Sequence, residues 1–304
     1  MIDLPLDQVR TLLAAVDEGT FEAAAEVLHV TPSAVSQRVK ALEQRTGRVL
    51  LLRTKPVRLT ASGEVVVRFG RQLARLERDA GAELGLADAA GPTALPIAVN
   101  SDSLATWFLP ALAEVAALHH VTFDLHRDDQ DHTAALLRQG LVMAAVTSSP
   151  DAVQGCSVRA LGKMRYRAMA TPDFAARWIG DAAPRRVLAD VPVVVFDRKD
   201  DLQDRFLRGL APRRAPGRAR HYMPSSEAFV DAVAAGLGWG MIPEVQAARH
   251  LSAGTLVDLA EDRAVDVPLY WQQWKLDSPA LAAVADAVAR EAARALKGPG
   301  RRGS

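Results

Sequence analysis

Short polar and basic side chains cluster in one segment near the N-terminus, and their chemistry suits contact with nucleic acid. Thr31-Pro32 predicts the N-cap and first residue of a helix that continues to about Thr46. Hydroxyl and amide groups on such a helix can meet base edges or phosphates in a major groove, and basic groups release counterions from the backbone. The candidates for DNA contact on this helix are Thr31, Ser33, Ser36, Gln37, Arg38 and Lys40.

The charge of the first sixty residues is divided sharply. Residues 1–30 carry six acidic residues and one basic residue, whereas residues 31–60 carry seven basic residues and one acidic residue. The net charge of the whole chain, +1, therefore hides a strongly basic segment. Within this segment, Arg53, Lys55 and Arg58 are expected to contact phosphates of the DNA backbone. A solvated face is the alternative explanation of the charge alone.

Three helices and two short strands must position these side chains. Apolar residues recur at helical spacing from Leu6 to Val16, and Phe21 opens a second helix before the one at Thr31. Residues 49–53 and 57–59 then predict two strands joined by a turn. The pattern predicts a winged helix-turn-helix over residues 1–60, with the helix-turn-helix itself at about 21–40. A generic three-helix bundle with an exposed basic face is the alternative.

A second group of polar side chains follows predicted strands further along the chain. A strand ending near Asn100 opens a helix through Ser101 and Ser103, and the amides at a helix start attract a carboxylate. Acidic residues in segments 126–129, 195–197 and 223–229 can pair with a cation. The group therefore suits a ligand that carries both charges, such as a basic amino acid. The effector-binding candidates are Asn100, Ser101, Ser103, Trp107, Asp128, Thr147, Phe196, Asp197, Ser225, Ser226 and Glu227. Plain helix capping by the serines, and acids that simply face water, remain the alternatives.

Composition and missing motifs exclude several classes of protein. Of the residues, 49% are hydrophobic and 24% are charged, which is ordinary for a globular protein. The chain of 304 residues is too long for one compact domain. The single cysteine, Cys156, excludes a disulfide framework and a cysteine-based zinc site. There is no stretch of eighteen apolar residues, and the N-terminus lacks the basic residues of a signal peptide. We expect a soluble cytoplasmic protein without a membrane span.

No catalytic or cofactor motif stands out. The sequence lacks a G-x-S-x-G elbow, a P-loop and a G-x-G-x-x-G that opens a helix after a strand. Four histidines lie between residues 119 and 132, but their spacing does not place them on one helical face, so solvated histidines are expected instead of a metal site. We expect no enzyme activity, no metal and no cofactor.

A long helix is predicted to connect the two halves. It runs from Ala61 to about Leu86, with an apolar stripe of Val65, Val66, Phe69, Leu73, Leu76, Ala80 and Leu84. A single helix cannot bury such a stripe alone, so pairing with a second copy of the chain is expected. Packing against its own domain is the alternative. The segment 61–90 is predicted to be the linker and dimerisation helix.

Strands and helices alternate from residue 94 onward. This alternation predicts a multi-domain α/β chain with residues 93–304 as its C-terminal part. That part is expected to have largely parallel sheets and to bind a ligand at the carboxyl ends of its strands. The number of elements fits two small lobes, with residues 158–170 and a strand near Tyr270 as the double crossover. Lobe I is predicted at about 93–166 plus 271–297, and lobe II at about 167–270.

The N-terminal segment resembles the LysR-type transcriptional regulators. The resemblance rests on residues 21–25, on 31–43 (TPSAVSQRVKALE), on Gly47, on 50–53 (LLLR) and on Leu59-Thr60 with Gly63. Nearly the whole chain resembles the ArgP/LysG subgroup, most clearly at residues 100–110, 196–201, 225–229, 241–243 and 269–271, whereas residues 209–217 depart from that pattern. The resemblance implies a two-lobed effector domain like that of periplasmic binding proteins. It also implies lysine or arginine as effector and control of a LysE-type exporter.

These expectations combine into one interpretation with several alternatives. We expect a regulator that binds double-stranded DNA as a homodimer or homotetramer, senses a small effector in its cleft and engages RNA polymerase. A regulator of this type that senses another metabolite is the first alternative. A two-lobed solute-binding protein is disfavoured because an export signal is missing. An α/β enzyme is disfavoured because no catalytic signature is present.

Overall fold

A computed structural model of the chain describes residues 4–84, 93–127, 130–211 and 219–298. The N-terminal part folds into four helices and one short hairpin. Its elements are α1 (Leu6–Asp17), α2 (Phe21–Val27), α3 (Pro32–Thr46), β1 (Leu51–Leu52), β2 (Arg58–Leu59) and α4 (Ala61–Glu83). This is the winged helix-turn-helix expected from the sequence.

Local capping chemistry sets the helix ends in this part. The Thr20 hydroxyl accepts a hydrogen bond from the amide of Ala23, and the Thr31 hydroxyl accepts one from the amide of Ala34. Gly47 ends α3 with φ +64°, a left-handed conformation that favours glycine. The α3 boundaries therefore agree with the sequence prediction at both ends.

The N-terminal core lies between α1, α3 and the first half of α4. It contains Leu12, Val35, Val39, Leu42, Leu50 and Val67, all at most 1% exposed. This apolar packing leaves the opposite face of α3 free for solvent or a partner. It therefore fixes which side of α3 can meet DNA.

The predicted wing strands are shorter than expected, at two residues each. Leu51 pairs with Leu59 and Leu52 pairs with Arg58 in antiparallel register. The amide of Leu50 donates instead to the Glu43 carboxylate at 2.8 Å, so a side chain of α3 replaces strand pairing there. Because this bond joins the recognition helix to the wing, the two elements are held as one unit.

Helix α4 uses its apolar residues differently from the predicted single stripe. Val66 and Val67 are buried in the N-terminal core, whereas Val65, Phe69 and Leu76 are 39–50% exposed. The stripe is therefore split between packing on its own domain and an uncovered face.

Two arginines of α4 attach it to the C-terminal part. Arg75 is only 2% exposed and pairs with Asp79. It donates to the carbonyl of Ala94 and to the hydroxyl of Ser278. Arg71 donates to the carbonyl of Gln139 at 2.8 Å. Helix α4 is thus anchored to the C-terminal part as well as to the N-terminal core.

The C-terminal part is built from strands and helices in two lobes joined by long strands. Its first elements are β3 (Thr93–Val99), α5 (Ser101–Ser103), a π-helical turn (Leu104–Phe108), α6 (Leu109–Leu118), β4 (Val121–Arg127), α7 (Gln130–Gln139) and β5 (Ala144–Thr147). The remainder are β6 (Cys156–Ala170), α8 (Pro172–Trp178), α9 (Pro184–Val187), β7 (Val193–Val195), α10 (Leu202–Leu210), β8 (Arg220–Tyr222), α11 (Ser226–Ala234), β9 (Gly240–Pro243), α12 (Glu244–Ser252), β10 (Val257–Asp258), β11 (Ala264–Trp274) and α13 (Pro279–Ala295).

Strands β6 and β11 run antiparallel through both lobes and form the predicted double crossover. The described strands of the main sheet follow the order β10-β6-β11-β5-β3-β4, with β9 also beside β6. Lobe I holds β3 to β5, α5 to α7 and α13, and lobe II holds α8 to α12 with β7 to β10. Together they confirm the two-lobed α/β fold. The exact domain and lobe boundaries given above remain predictions.

The expectation of largely parallel sheets is wrong for the main sheet. Among the described strands of that sheet, only β3 with β4 and β3 with β5 pair in parallel, because the two crossover strands bring antiparallel neighbours on each side. Helices α9, α10 and α12 and strands β8 and β10 were also missed from the sequence. Helix α9 and the two strands are short, at two to four residues, and carry little periodicity, whereas α10 is amphipathic over nine residues, with Leu202, Phe206 and Leu207 buried. No described helix has the length and apolar character needed to cross a membrane.

Candidate functional site

The α3 surface presents most of the predicted DNA-contacting residues to solvent. Ser33, Gln37 and Lys40 are exposed, and Ser36 and Arg38 are half-buried. Thr31 is exposed as well, although its hydroxyl caps α3. The structure therefore places these residues on or beside one accessible helical face, with basic side chains beside hydroxyl and amide groups.

The wing presents its three basic residues next to that helix. Arg53, Lys55 and Arg58 are exposed, and the Arg53 guanidinium lies 5.7 Å from the centre of the Phe21 ring. The amide of Val57 donates to the carbonyl of Gly19 at 2.9 Å, which ties the wing to the start of α2. Charged groups are therefore held at a defined position relative to the helix-turn-helix, as phosphate binding requires.

A cavity of about 500 Å³ opens between the two lobes, a size in the range of small-molecule sites. Four predicted effector-binding residues line it, namely Asn100, Ser101, Phe196 and Ser226. The other lining residues are Asp102, Tyr166, Lys199, Asp200, Asp201, Leu202, Gln203, Arg205, Phe229, Met241, Pro243, Gln246 and Val267. Both lobes and both crossover strands contribute to this wall.

Six predicted effector-binding residues lie outside this wall, in two groups. Ser103, Trp107 and Thr147 are buried in lobe I, where Thr147 donates to the carbonyl of Ser149. The other three lie on lobe II. Asp197 accepts hydrogen bonds from the amides of Lys199 and Asp200, and Ser225 caps α11. Glu227 is exposed to solvent. Asp128 lies outside the described residues.

Asp102 is a half-buried carboxylate of the cavity wall. The Tyr166 hydroxyl donates to its Oδ2 at 2.7 Å, and the Ser226 hydroxyl donates to its Oδ1 at 2.7 Å. Burial raises the pKa of Asp102 above its usual value, although both hydroxyl bonds oppose the rise. The carboxylate thus sits in the wall without the solvation it would have in water.

Asp200 supplies a second carboxylate, held by the backbone of lobe II. Its Oδ2 accepts from the amide of Phe196 at 3.2 Å, and its Oδ1 accepts from the amide of Leu202 at 2.9 Å. Burial raises the pKa of Asp200, and the nearby Asp102 charge adds to that rise. Two carboxylates from opposite lobes therefore interact across the cavity.

Two further acceptor oxygens of the wall are buried and lack a hydrogen-bond partner among the described residues. They are Oδ1 of Asn100 and Oε1 of Gln203, whose amide nitrogen donates to the carbonyl of Val194. A buried acceptor without a donor costs free energy. Because both oxygens have almost no accessible surface, a ligand in the cavity can reach them only if these side chains turn.

The cavity also carries two basic side chains. Arg205 pairs with Asp201 at 3.0 Å, so these two charges largely offset each other, and Lys199 is exposed. Asp102 and Asp200 accept hydrogen bonds from uncharged donors but form no ion pair within the described ranges, so no basic side chain there offsets their negative charge. No group of three His, Cys, Asp or Glu side chains suited to a metal occurs in the described part of the chain.

Sequence reasoning missed Asp102, Asp200 and Tyr166 as site residues. Asp102 lies between two serines that were favoured for their hydroxyl groups, and Asp200 lies three residues after the acid that was selected. Their proximity to the segments already selected was the available signal. For Tyr166, in the middle of a long strand, the sequence carried no such signal.

Comparison with known proteins agrees with this architecture. Residues 6–64 match the family described as bacterial regulatory helix-turn-helix protein, lysR family, and residues 93–293 match the LysR substrate binding domain. The chain is 46% identical over 304 residues to the HTH-type transcriptional regulator LysG of Mycobacterium tuberculosis, covering 99% of each protein. It is 44% identical over 290 residues to the lysine export transcriptional regulatory protein LysG of Corynebacterium glutamicum, covering 95% of this chain and 98% of the relative.

A solved structure extends the similarity to the whole fold. The full-length LysG of Corynebacterium glutamicum with bound effector arginine is 42% identical and superposes with a TM-score of 0.83, covering 96% of this chain and 99% of that one. The chain belongs to the LysR family of DNA-binding transcriptional regulators, which is not a family of enzymes. The expectations of family, fold and absence of enzyme activity are therefore confirmed.

Proposed function

We propose that this regulator binds a basic amino acid, lysine or arginine, between its two lobes and changes transcription in response. The observation that carries the proposal is the pair of carboxylates in the cavity wall, one from each lobe, that form no ion pair within the described ranges. Asp102 and Asp200 both line the cavity and supply its negative charge. A ligand rich in N–H groups and positive charge satisfies such a wall.

The two ends of the ligand have different partners. The ammonium and side-chain cation are assigned to the carboxylates of Asp102 and Asp200. The α-carboxylate is assigned to Ser101 and to the backbone amides at the start of the helical segment that follows β3, since first-turn amides lack partners within a helix. The corynebacterial relative with bound arginine supports the same class of effector.

DNA binding is assigned to α3 and the wing. Ser33, Ser36 and Gln37 are proposed to contact base edges or nearby phosphates, whereas Arg38, Lys40 and the wing basic residues mainly contact phosphates. Thr31 completes the set at the start of α3. The exposure of these residues on and beside one face supports the assignment.

The uncovered face of α4 supports self-association. Val65, Phe69 and Leu76 are large apolar side chains that remain 39–50% exposed on one long helix. Pairing with a second copy would bury them, as a homodimer or within a homotetramer. We further propose action in the cytoplasm, with RNA polymerase as partner. We propose genes for amino acid export as targets, since the corynebacterial relative is a lysine export transcriptional regulatory protein.

The proposed mechanism is a shift between arrangements of the subunits. Ligand binding changes the relative position of the lobes, and α4 transmits the change to the paired recognition helices. A ligand shifts such an equilibrium only by the difference in its affinity for the two arrangements. Changed spacing of the recognition helices then alters how DNA is bound and bent.

Calorimetric titration of the purified chain tests the ligand assignment. Arginine or lysine is expected to bind, whereas citrulline, the uncharged analogue of arginine, and glutamate are expected to bind at least about tenfold more weakly because they lack the side-chain cation. Asp200→Asn should weaken the binding of the basic amino acid and leave the affinity for DNA unchanged. The matched control is Asp231→Asn, an exposed residue of α11 outside the cavity wall. Absence of binding by both basic amino acids would overturn the proposal.

A further inference from the structure

The cavity contains a polar connection that joins the two lobes through a single carboxylate. Asp102 belongs to lobe I and directly follows the first residue of the helical segment after β3. Ser226, the first residue of α11, belongs to lobe II, and its hydroxyl donates to Asp102 Oδ1 at 2.7 Å. Tyr166 on the crossover strand β6 donates to Oδ2 of the same carboxylate. One side chain therefore contacts both lobes and the connection between them.

The connection extends further into lobe II. The Gln246 side-chain amide donates to the Ser226 hydroxyl at 3.1 Å, so Ser226 both accepts a hydrogen bond and donates one. Such chains polarise one another and strengthen the individual bonds. Gln246 lies on α12, which begins directly after β9 beside the crossover strand. The position of Asp102 is thus linked to two helices of the opposite lobe.

Asp102 still has capacity to bind a ligand while it keeps these bonds. An ionised carboxylate offers about four lone-pair sites, and each oxygen of Asp102 uses one for a hydroxyl group. The residue also lines the cavity. A cation that enters the cavity can therefore add an N–H bond to the carboxylate without displacing Ser226 or Tyr166.

The surrounding charges leave that place open for a cation. Ser226 and Tyr166 are uncharged donors, and among the described residues no Lys, Arg or His forms an ion pair with Asp102. Glu227 on α11 and Asp200 before α10 add negative charge, whereas Asp201 and Arg205 pair with each other and Lys199 is exposed. A positive partner favours the ionised form of a partly buried carboxylate that lies among other negative charges.

We propose that Asp102 is the residue that couples occupation of the cleft to the relative position of the lobes. Its carboxylate binds the ammonium group of the ligand from the cavity, and its bond to Ser226 holds lobe II against the occupied site. Binding therefore stabilises the arrangement in which the two lobes share this carboxylate. Asp102 selects for a cation, and Ser226 is a positioning residue that acts through it. The inference rests on the proposed function, since it requires a basic amino acid in the same cavity.

Two variants separate the charge from the connection between the lobes. Asp102→Asn keeps the shape, removes the charge and replaces one of the two acceptor oxygens with a donor amide, so arginine affinity should fall about tenfold or more. Ser226→Ala keeps the charge and removes the bond between the lobes, so arginine affinity should fall less, within about threefold. Asp231→Asn and Ser252→Ala are matched controls, because both residues are exposed on helices of lobe II and outside the cavity wall.

Two further readouts distinguish coupling from a purely structural role. In the wild type, arginine affinity should increase as pH rises and Asp102 loses its proton, and Asp102→Asn should lack that part of the profile. Spin labels at Leu118→Cys in lobe I and Asp262→Cys in lobe II report the distance between the lobes, since both positions are exposed. Arginine should narrow this distance distribution in the wild-type background and in Ser252→Ala but leave it broad in Ser226→Ala.

The outcomes separate this inference from the function on which it rests. If the unmodified chain binds neither arginine nor lysine, both are wrong. If it binds arginine and Asp102→Asn binds equally well, Asp102 does not select the cation and only the inference fails. The same holds if Ser226→Ala shows the full arginine-dependent narrowing. The proposed coupling between the cavity and the lobes is supported if Asp102→Asn binds arginine more weakly and if arginine no longer narrows the distance distribution in Ser226→Ala.

Discussion

Removal of one wing charge tests whether the hairpin contacts DNA through phosphates. Lys55 lies exposed between β1 and β2, and it is fully available to a phosphate. Each phosphate contact that is lost reduces the slope of log affinity against log salt by about 0.9. When salt rises from 50 to 200 mM, both proteins lose affinity for DNA. The loss should be smaller for Lys55→Ala than for the unmodified chain, by a factor of about 3.5 for each wing that contacts DNA.

The assay is fluorescence anisotropy of a labelled operator fragment and of an unrelated duplex across that salt range. At low salt, Lys55→Ala should weaken binding to both duplexes by the same factor, because a phosphate contact carries no sequence information. Gln37→Ala on α3 should instead reduce the preference for the operator and leave the salt slope unchanged. Lys275→Ala, an exposed lysine that follows β11 in lobe I, is the control of equal charge change. An unchanged slope in Lys55→Ala would remove the wing from the interface.

Three further changes test the fold and the electrostatics of the site. Gly63→Ala would place a Cβ atom 2.0 Å from the carbonyl oxygen of Leu50, so the unfolding free energy should fall by about 1–3 kcal/mol or more in denaturant titration. Glu43→Ala removes the carboxylate that accepts the amide of Leu50 and should cost about 1–3 kcal/mol, and faster hydrogen exchange at that amide would show the loss directly. The raised pKa of Asp102 means that the folded chain keeps this proton to higher pH than the unfolded chain, so the stability of the ligand-free protein falls as pH rises from the unfolded pKa through the raised one. Thermal melts should show a smaller fall for Asp102→Asn, and identical pH profiles would contradict the assignment.

The parts of the fold that local chemistry determines were predictable from the sequence. Thr31-Pro32 and Gly47 mark both ends of α3, because capping and left-handed backbone depend on only a few neighbouring residues. The number and order of the elements predicted the double crossover, and the family resemblance added the likeness of the effector domain to periplasmic binding proteins. The antiparallel neighbours of the crossover strands depend on contacts between distant segments, and the local alternation of strands and helices does not encode them.

The composition of the cavity shows the same limit. Ser226 was selected because it opens a helix, but the structure uses its hydroxyl to reach Asp102, 124 residues earlier in the chain. Asp197 was selected as the acid after a buried strand, yet it caps the turn that follows. Asp200, three residues later, lines the cavity instead. Sequence reasoning found the correct segments, and the side-chain directions within each turn required the tertiary structure.

Strand β3 provides a direct structural link between the cleft and the DNA-binding part. At one end, the carbonyl of Ala94 accepts a hydrogen bond from Arg75 of α4, and this arginine also donates to Ser278 at the start of α13. At the other end, β3 leads into Asn100 and Asp102 in the cavity wall. A strand rises about 3.3 Å per residue, so these two ends are separated by about 20–25 Å of hydrogen-bonded sheet. Because β3 is paired on both sides, a displacement at the cavity cannot be absorbed by bending of this strand alone. We therefore expect a rearrangement of lobe I on ligand binding to reach the Arg75 contacts of α4, and through α4 the wing and α3.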